Sequence, residues 1–265
     1  MNSNVMQNYR QLIKNLSSYP QVAVAYSGGV DSTVLVYGAC EAIGPANVLV
    51  LHATSCLLSA DVSKNAERVI EETFDPLLRF KKIAVNPMAQ DIFIKNDPSR
   101  CYYCKHMIYT SLIEEMEKEG IAVLIDGTNC DDLRDHRPGL RALKELGVKT
   151  PFVESNITKS EIRIIAASVG LSNAELPSNS CLATRIAQNQ KIDHATLTDI
   201  ETMEHFLRQR DFLGCRVRPR QGFVILEIQE PDFLKITDRN ERIKIRNYFQ
   251  KHGFDKVLLD IIGRL

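Results

Sequence analysis

A glycine-rich hexapeptide, SGGVDS at residues 27–32, constrains this chain more than any other feature of its sequence. The apolar run before it, residues 21–26, predicts a short buried strand. The run after it, residues 33–43, has helical spacing and stops at Gly44 and Pro45, which predicts a helix of that length. A glycine turn between a strand and a helix N-terminus presents backbone N–H groups to an anion. The segment therefore predicts a phosphate-binding loop.

The individual residues of this loop suit the phosphates of a nucleotide. Gly28 and Gly29 let the backbone approach a phosphate closely, and the hydroxyl groups of Ser27 and Ser32 add donors. The Asp31 carboxylate is the predicted catalytic ligand of a magnesium ion that bridges phosphates. The spacing is neither that of a Walker A loop nor that of the dinucleotide fingerprint, so we expect another class of nucleotide site.

Composition and charge exclude several classes of protein. The chain has 265 residues, of which 44% are hydrophobic and 25% charged, so we expect a full core rather than a disordered or fibrous chain. Its formal net charge is zero, whereas stable nucleic-acid binders usually carry a basic excess. No apolar run reaches the roughly 18–20 residues that span a bilayer, and residues 1–19 lack the apolar centre of a signal peptide. We expect a cytoplasmic protein with neither a membrane nor a nucleic-acid partner.

Up to residue 169, short apolar runs alternate with helical patterns. Such runs, separated by helices, indicate a parallel sheet covered on both faces. The further strands are predicted at residues 48–53, 82–85 and 121–126, and the further helices at 5–16, 60–73, 102–119 and 160–169. The predicted fold class is therefore α/β, with the phosphate loop after the first strand.

A different pattern follows Cys181 and predicts a small α+β domain. Its helices are predicted at residues 194–209 and 240–251, and its strands at 215–217, 223–228 and 256–262, the first two of these as a pair. We place the boundary near residues 182–191. This gives a phosphate-loop domain at residues 1–184 and a small domain at 185–265.

Two further polar segments fall where such sheets bind their ligands. The first, residues 126–141, follows the fourth predicted strand, and the carboxyl ends of strands in α/β sheets line the ligand site. Capping of a turn by its Asp and Asn side chains is the alternative. The second segment opens a helix with Thr158 or Ser160 as the N-cap. It offers Lys159 and Arg163 as partners for phosphate, with exposure to solvent as the alternative.

The strand, the SGGxDS loop and the following helix resemble the PP-loop of the N-type ATP pyrophosphatases, which have an adenine nucleotide alpha hydrolase-like, Rossmann-like fold. Members of that superfamily cleave ATP to AMP and pyrophosphate and adenylylate an oxygen of their substrate. The resemblance implies that the loop, with Gly127 and Lys159, holds the pyrophosphate side of ATP. It also implies that residues 52–55, at the end of the second predicted strand, lie beside the adenosine, with Ser55 in contact with the nucleotide.

Three segments narrow the resemblance to the LarE family of ATP-dependent sulfur transferases. They are residues 126–141, PSNSCLATRI at 177–186 and CRVR at 215–218, so the resemblance covers nearly the whole chain. It implies a small-molecule nucleotide substrate, pyridinium-3,5-biscarboxylic acid mononucleotide, whose carboxylates are adenylylated and converted to thiocarboxylates. The product is a precursor of the nickel-pincer nucleotide cofactor of lactate racemase. The resemblance also implies a homo-oligomer, with hexamers among the known members.

The small domain is rich in arginine. Arg216 and Arg218 alternate on a predicted strand, so their side chains share one face, and guanidinium groups suit phosphate and carboxylate. The resemblance implies that these two residues, with Glu201 and Arg185, bind the mononucleotide and that the small domain also serves oligomerisation. A solvated basic face is the alternative.

The seven cysteines divide into two groups. In a cytosolic chain, some of them are expected to serve metal or redox chemistry rather than structural disulfides. Those outside any motif are expected to be small buried apolar side chains, namely Cys40, Cys56, Cys130 and Cys215. Cys101 and Cys104 form a C-x-x-C at the start of a predicted helix, whose N-terminus favours thiolates.

Cys181 matches the sulfur-carrying position of the LarE family. The three-Cys branch of that family implies that Cys101, Cys104 and Cys181 hold a [4Fe–4S] cluster, since thiolates are its usual ligands. Sulfide, free or delivered by a sulfur-donor protein, would then be the sulfur source. The alternatives are that Cys181 gives up its own sulfur and becomes dehydroalanine, or that the C-x-x-C is half of a zinc site, a redox dithiol or two packed thiols.

Three rival functions stay open at this point. A tRNA thiolase of the same superfamily shares the C-x-x-C with a later Cys and the helix of residues 158–163. The zero net charge and the small domain without a known RNA-binding motif count against it. A non-catalytic iron–sulfur carrier on the same fold is the second rival. An amide-forming relative is the third, although no glutaminase domain is apparent in the sequence.

Overall fold

The computed structural model describes residues 3–134, 138–177 and 180–264. These form two compact units. The large unit comprises Met1–Phe93 and Pro98–Leu176, and the small unit comprises Ile94–Asp97 and Pro177–Leu265. Residues 135–137, within the predicted ligand segment 126–141, and residues 178–179, within the LarE-like segment 177–186, lie outside the described residues.

The large unit contains a four-stranded parallel sheet. Its strands are β1 (Val22–Ala25), β2 (Val48–Thr54), β3 (Arg79–Ala84) and β4 (Leu124–Asp126), in the order β3-β2-β1-β4. The chain moves outward from β1 to β3 and then returns to the other side of β1 for β4. The carboxyl ends of β1 and β4 therefore flank a reversal of strand order, which is where open α/β sheets bind ligands. The predicted α/β fold class is confirmed.

Helices cover both faces of this sheet. The α-helices that precede the small unit's main segment are α1 (Ser3–Leu16), α2 (Val30–Ile43), α3 (Ala60–Thr73), α4 (Asp91–Ile94), α5 (Arg100–Lys118), α6 (Pro138–Glu145), α7 (Pro151–Glu154) and α8 (Lys159–Ser168). Val22 and Val24 of β1 pack in one apolar cluster with α1, α2 and α8, while Ala23 and Ala25 pack in a second with α5 and α6. Successive residues of a strand face opposite sides, so a continuous apolar run is what a sheet buried on both faces requires.

The small unit is an α+β fold, as predicted. Its elements are α9 (His194–Arg208), β5 (Arg216–Arg220), β6 (Phe223–Glu227), α10 (Phe233–Thr237), α11 (Arg239–Lys251) and β7 (Lys256–Leu259). β6 lies between β5, to which it is antiparallel, and β7, to which it is parallel. Phe212 and Phe249 are fully buried in its core. Ile94–Asp97 belongs to this unit because Asn96 donates from Nδ2 to the carbonyls of Ala187 and Gln190, each at 2.9 Å.

The sequence does not predict the short helices α4, α6, α7 and α10, or the first half of β3. Helices of four to eight residues complete too few turns for a 3.6-residue period to register. β3 lies at the edge of the sheet and carries the half-exposed sequence RFKKIA, so its first three residues do not form an apolar run. No helix in the described part of the chain is long and apolar enough to cross a membrane.

Candidate functional site

The phosphate loop connects β1 to α2 and is closed by its own side chains. α2 begins at Val30, three residues before the predicted start, so Asp31 and Ser32 lie in its first turn. Ser32 Oγ donates to the Gly29 carbonyl at 3.0 Å and accepts from the Ser27 N–H at 3.3 Å. Gly29 is the N-cap and provides no side-chain cap. The first N–H groups of α2, at the positive end of its dipole, therefore have no competing side-chain cap from that position.

Two close approaches explain why glycine is needed at this site. Gly28 has a φ of +79°, and a Cβ there would lie 2.5 Å from the Ala66 Cβ of α3. Gly127 follows β4, and a Cβ there would lie 3.2 Å from the Ser32 backbone nitrogen. A side chain at either position would thus disturb the loop or cover the N-terminus of α2.

Lys159 contacts the loop through Asp31. Its Nζ lies 2.6 Å and 2.7 Å from the two Asp31 carboxylate oxygens, and its backbone N–H donates to Asp131 Oδ2 at 2.8 Å. Burial raises the pKa of the Asp31 carboxyl above its usual value, and the Lys159 ammonium partly offsets this. A cation and a carboxylate are therefore held beside the N-terminus of α2.

Magnesium can be tested against this donor set. In the part of the chain that the structure describes, no three His, Cys, Asp or Glu side chains converge on a metal site. Mg²⁺ in nucleotide sites needs no such cage, because one or two carboxylates with phosphate oxygens and water complete its octahedron. The single Asp31 carboxylate at the loop fits that manner of binding.

The predicted ligand segment after β4 is largely a network of turns. Asp126 is 8% exposed and accepts hydrogen bonds from the Tyr109 hydroxyl, the Thr128 hydroxyl and the Thr128 N–H. Asn129 Oδ1 accepts from the Asp131 N–H at 3.0 Å, and Asp132 Oδ2 accepts from the Asn129 N–H at 3.1 Å. The turn-capping alternative is therefore observed for these side chains, and their contacts hold Gly127 beside the loop.

The helix that carries Lys159 is capped as the sequence predicts. Thr158 is the N-cap of α8 and forms a capping box with Glu161. Arg163, predicted as a second phosphate partner, instead donates to the backbone carbonyl of Ala174 at 2.7 Å. Only Lys159 of this pair contacts a residue of the phosphate loop among the described contacts.

The end of β2 carries a buried histidine and the predicted nucleotide contact Ser55. His52 is fully buried, with Nδ1 2.9 Å from the Tyr26 carbonyl and Nε2 3.3 Å from Ser63 Oγ. A carbonyl only accepts, so Nδ1 carries the proton and Nε2 accepts from the Ser63 hydroxyl. Ser55 is half-buried and its Oγ accepts from the Leu57 N–H at 3.2 Å. Of these two polar side chains, Ser55 keeps partial exposure at the strand end.

His52 is expected to make the protein less stable in mild acid. Burial lowers its pKa below the usual value of 6.5, so the unfolded chain binds the proton first as the pH falls. The stability that neutral His52 contributes is complete above about pH 7.5 and falls progressively as the pH drops below the unfolded-chain value of 6.5, with a slope of up to about 1.4 kcal/mol per pH unit. Urea unfolding across that range measures it. His52→Gln should flatten the dependence and His252→Gln, at an exposed position, should keep it; equal slopes for the two variants would contradict this assignment.

In the small unit, Arg185 holds the segment that carries Cys181. Its side chain is 4% exposed and pairs with Glu204, at 2.8 Å from Nε to Oε1. Its Nη1 donates to the Ser180 hydroxyl at 2.6 Å and to the Cys181 carbonyl at 3.3 Å. Glu204 also accepts from the Val217 N–H at 3.0 Å. These contacts favour a positioning role for Arg185 over the predicted contact with substrate.

Breaking this buried pair is expected to cost about 3–5 kcal/mol of unfolding free energy in Glu204→Ala. The loss arises because the Arg185 charge and the Val217 N–H stay buried without their acceptor. The double variant Arg185→Met/Glu204→Leu should regain part of it. Urea unfolding measures each value. Glu72→Ala, which breaks an exposed pair with Arg68, is the control and should cost less than about 1 kcal/mol; similar losses in both variants would refute the argument from burial.

Arg216 and Arg218 share one face of β5, as predicted, and both approach the Glu227 carboxylate. Arg218 is fully engaged, because it also donates to the Thr184 carbonyl at 2.6 Å. Arg216 lies 3.8 Å from Glu227, and its buried Nε has no hydrogen-bond partner among the described residues. Burial and the neighbouring guanidinium groups lower the pKa of Arg216 to about 10. Glu201 lies half-buried on α9, one turn before Glu204.

Comparison with known proteins assigns the chain to a family. No protein-family model matches it. An uncharacterised protein of Methanocaldococcus jannaschii is 34% identical over 96% of this chain and 93% of its own, and one of Synechocystis is 30% identical over 97% and 94%. The pyridinium-3,5-bisthiocarboxylic acid mononucleotide synthase of Lactiplantibacillus plantarum is 29% identical over 95% and 90%. The chain belongs to the LarE family. The resemblance noted in the sequence is confirmed.

The three cysteines predicted to act in sulfur transfer are divided between the two units. Cys101 and Cys104 both lie near the N-terminus of α5, in the large unit, where Cys101 is exposed and Cys104 half-buried, and their three-residue spacing puts them on one face of that helix. Cys181 is half-buried in the small unit. Cys215 is buried as predicted, and burial raises its pKa to about 12. Cys56 is exposed, so the prediction that it is a buried apolar side chain is wrong.

The sequence analysis missed two residues, one in each unit. Glu204 anchors Arg185 and β5, but its charge on a helix with no motif gave no signal. Asn173, which is 1% exposed, donates to the Gly28 carbonyl at 3.2 Å, although 145 residues separate them. Only a contact seen in three dimensions identifies such a residue.

Proposed function

We propose that the protein is an ATP-dependent sulfur transferase that converts carboxylates of pyridinium-3,5-biscarboxylic acid mononucleotide to thiocarboxylates. The observation that carries this proposal is the phosphate loop at the reversal of strand order, with Gly127 and Lys159 beside the N-terminus of α2. The similarity to the Lactiplantibacillus plantarum synthase, over nearly the whole of both chains, supports the choice of substrate. Cytoplasmic location and homo-oligomerisation stay predictions.

The first half-reaction is adenylylation. A substrate carboxylate oxygen attacks the α-phosphorus of ATP, the bond from that phosphorus to the bridging oxygen breaks, and pyrophosphate leaves. The N–H groups of the first turn of α2 and the Lys159 ammonium stabilise the negative charge that builds on the leaving group. Asp31 would supply a carboxylate ligand to the magnesium ion, which when bound would neutralise phosphate charge.

The mononucleotide is proposed to bind through the arginine face of β5. Arg216 is the best-suited residue, because its buried Nε has no hydrogen-bond partner among the described residues and a phosphate or carboxylate would supply one. Arg218 is held by Glu227 and Thr184, so it would contribute charge in a fixed position. Arg185 would act by holding the Cys181 segment, and Glu201 would contact the substrate from α9.

The second half-reaction replaces AMP with sulfur, and Cys181 is central to both routes that we consider. With Cys101 and Cys104 it would hold a [4Fe–4S] cluster, which when bound would supply the sulfur atom from sulfide. The two cysteines of α5 fit half of such a site, since they lie on one helix face. In the other route the Cys181 thiolate displaces AMP. Loss of the Cα proton then breaks its Cβ–S bond and leaves dehydroalanine and the thiocarboxylate.

Turnover of the full chain tests the proposal. The protein, reconstituted with iron and sulfide without oxygen, is incubated with ATP, Mg²⁺ and the pyridinium mononucleotide. We expect AMP and pyrophosphate in equal amounts and a product in which sulfur replaces oxygen. Catalytic turnover with sulfide, together with bound iron, supports the cluster route. One turnover with loss of hydrogen sulfide mass at Cys181 supports the sacrificial route. Activity on tRNA instead of the mononucleotide, or ATP binding without cleavage, would refute the proposed substrate or reaction.

A further inference from the structure

Asn173 lies after α8 and connects the phosphate loop to the first turn of α2. Its side chain is buried, with 1% of the residue exposed. Nδ2 donates to the Gly28 carbonyl at 3.2 Å and to Thr33 Oγ1 at 2.8 Å. Thr33 Oγ1 in turn donates to the Gly29 carbonyl at 3.0 Å. The amide group therefore holds the Gly28 carbonyl directly, whereas the Gly29 carbonyl also accepts from the Ser32 hydroxyl and the Thr33 N–H.

The direction of these carbonyls decides where the loop's N–H groups point. In a planar trans peptide, the C=O of one residue and the N–H of the next point in opposite directions. Asn173 fixes the Gly28 carbonyl toward the interior, so the Gly29 N–H is turned to the opposite side, where Gly29 is exposed. That N–H lies 3.4 Å from Ser27 Oγ, near the limit of a hydrogen bond, so a phosphate oxygen could replace this partner readily.

The amide is needed here for its donors. Asn173 Oδ1 is buried and has no hydrogen-bond partner among the described residues. The orientation of the amide follows from chemistry, because the Gly28 carbonyl accepts only and must face Nδ2. A buried acceptor without a partner is a cost that an apolar side chain would avoid. What an apolar side chain lacks is the pair of N–H groups that reach Gly28 and Thr33.

We propose that Asn173 is a positioning residue for the phosphate loop. It does not touch ATP; it holds the Gly28 carbonyl away from the phosphates so that the Gly29 N–H stays available to the departing pyrophosphate. The inference rests on the proposed ATP-dependent function and extends it to a residue outside every motif of the sequence. Its effect is confined to the nucleotide, because all its contacts described above are with the loop and α2.

Equilibrium binding of MgATP to the full chain, measured by calorimetry, tests this role. Asn173→Ala should weaken ATP binding by about tenfold or more, since a donor network that orders the anion site is lost. Asn173→Asp should weaken it further, because a carboxylate would face the Gly28 carbonyl and add negative charge beneath the phosphates. Binding of the pyridinium mononucleotide should stay within about twofold of wild type. Ile165→Val, at a fully buried position of α8, controls for a general loss of stability and should leave ATP affinity unchanged.

The outcomes separate this inference from the proposed function. If the wild-type chain fails to bind ATP, the proposed function is refuted. If wild type binds ATP and Asn173→Ala binds it within about twofold, the role of Asn173 is overturned. Should Asn173→Ala not fold, Thr33→Val removes the hydroxyl that accepts from the Asn173 amide and helps to orient it toward the Gly28 carbonyl. ATP affinity equal to that of wild type in that variant would overturn the role as well.

Discussion

Gly28→Ala is expected to reduce ATP binding by about 100-fold or more and to lower the unfolding free energy by about 2–5 kcal/mol. Two physical terms add at this position. The backbone has a φ of +79°, where an L-residue is strained, and the new Cβ would lie 2.5 Å from the Ala66 Cβ of α3. Relief requires movement of the loop or of α3, and movement of the loop misdirects the N–H groups meant for the phosphates.

Gly44→Ala separates the strain of the positive φ from the steric clash of the new Cβ. Gly44 follows α2 and has nearly the same dihedral angle, φ +80°, but a Cβ there meets nothing within 4 Å. Because its ψ of 146° puts it in a region that side chains rarely adopt, this variant should lose about 1–3 kcal/mol, but it should keep its ATP affinity. Urea unfolding and calorimetric titration with MgATP measure both quantities. Unchanged ATP affinity in Gly28→Ala, or an equal loss of affinity in Gly44→Ala, would contradict the role given to the loop.

Cys181→Ala is expected to reduce formation of the thiocarboxylate product by about a thousandfold or more. Substrate-dependent release of AMP and pyrophosphate should persist, because the phosphate loop and Lys159 belong to the large unit and Cys181 to the small one. The two activities are measured together by mass spectrometry of the mononucleotide and by a pyrophosphate assay. Loss of both in a folded variant would show that Cys181 also acts in adenylylation, against the proposed division.

The C-x-x-C variants decide between the sulfur routes. Cys101→Ser and Cys104→Ser should abolish product formation if the three cysteines act together on a cluster. They should leave a single turnover intact if Cys181 alone gives its sulfur. Cys56→Ser changes another exposed cysteine of the large unit and should behave as wild type. Full activity of Cys101→Ser and Cys104→Ser over many turnovers would exclude both routes, because the cluster route requires these cysteines and the sacrificial route allows only one turnover.

The sequence predicts best what is local and strongly periodic. α3 spans Ala60–Thr73 as predicted, because Ser59 is a good N-cap and its hydroxyl accepts from the Val62 N–H. The continuous apolar runs of β1 and β2 identify a sheet buried on both faces, and the glycine loop predicts which edge of that sheet binds a ligand. These signals lie within single segments, so tertiary packing does not have to be known.

The rest depends on contacts between distant segments. In the sequence, Arg163 and Arg185 look equally suited to binding an anionic ligand. In the structure, Arg163 donates to the Ala174 carbonyl and Arg185 pairs with Glu204. Asn173 carries no signal at all, since its partners Gly28 and Thr33 are 145 and 140 residues away. The sequence gives the charge and polarity of each side chain, but its hydrogen-bond or ion-pair partner depends on the tertiary structure.

The tetrapeptide Ile94–Asp97 has a consequence for the order of folding during synthesis. Its partners in the small unit lie more than 90 residues later in the chain. The Asn189 N–H donates to the Asn96 carbonyl, and the Ile192 N–H donates to the Ile94 carbonyl. The tetrapeptide therefore leaves the ribosome well before the residues it binds. Until residues 187–192 emerge, these carbonyls and the Asn96 amide lack the hydrogen-bond partners named above. The small unit therefore cannot be completed from its C-terminal portion alone, and a fragment that starts at Pro177 would lack one of its own pieces.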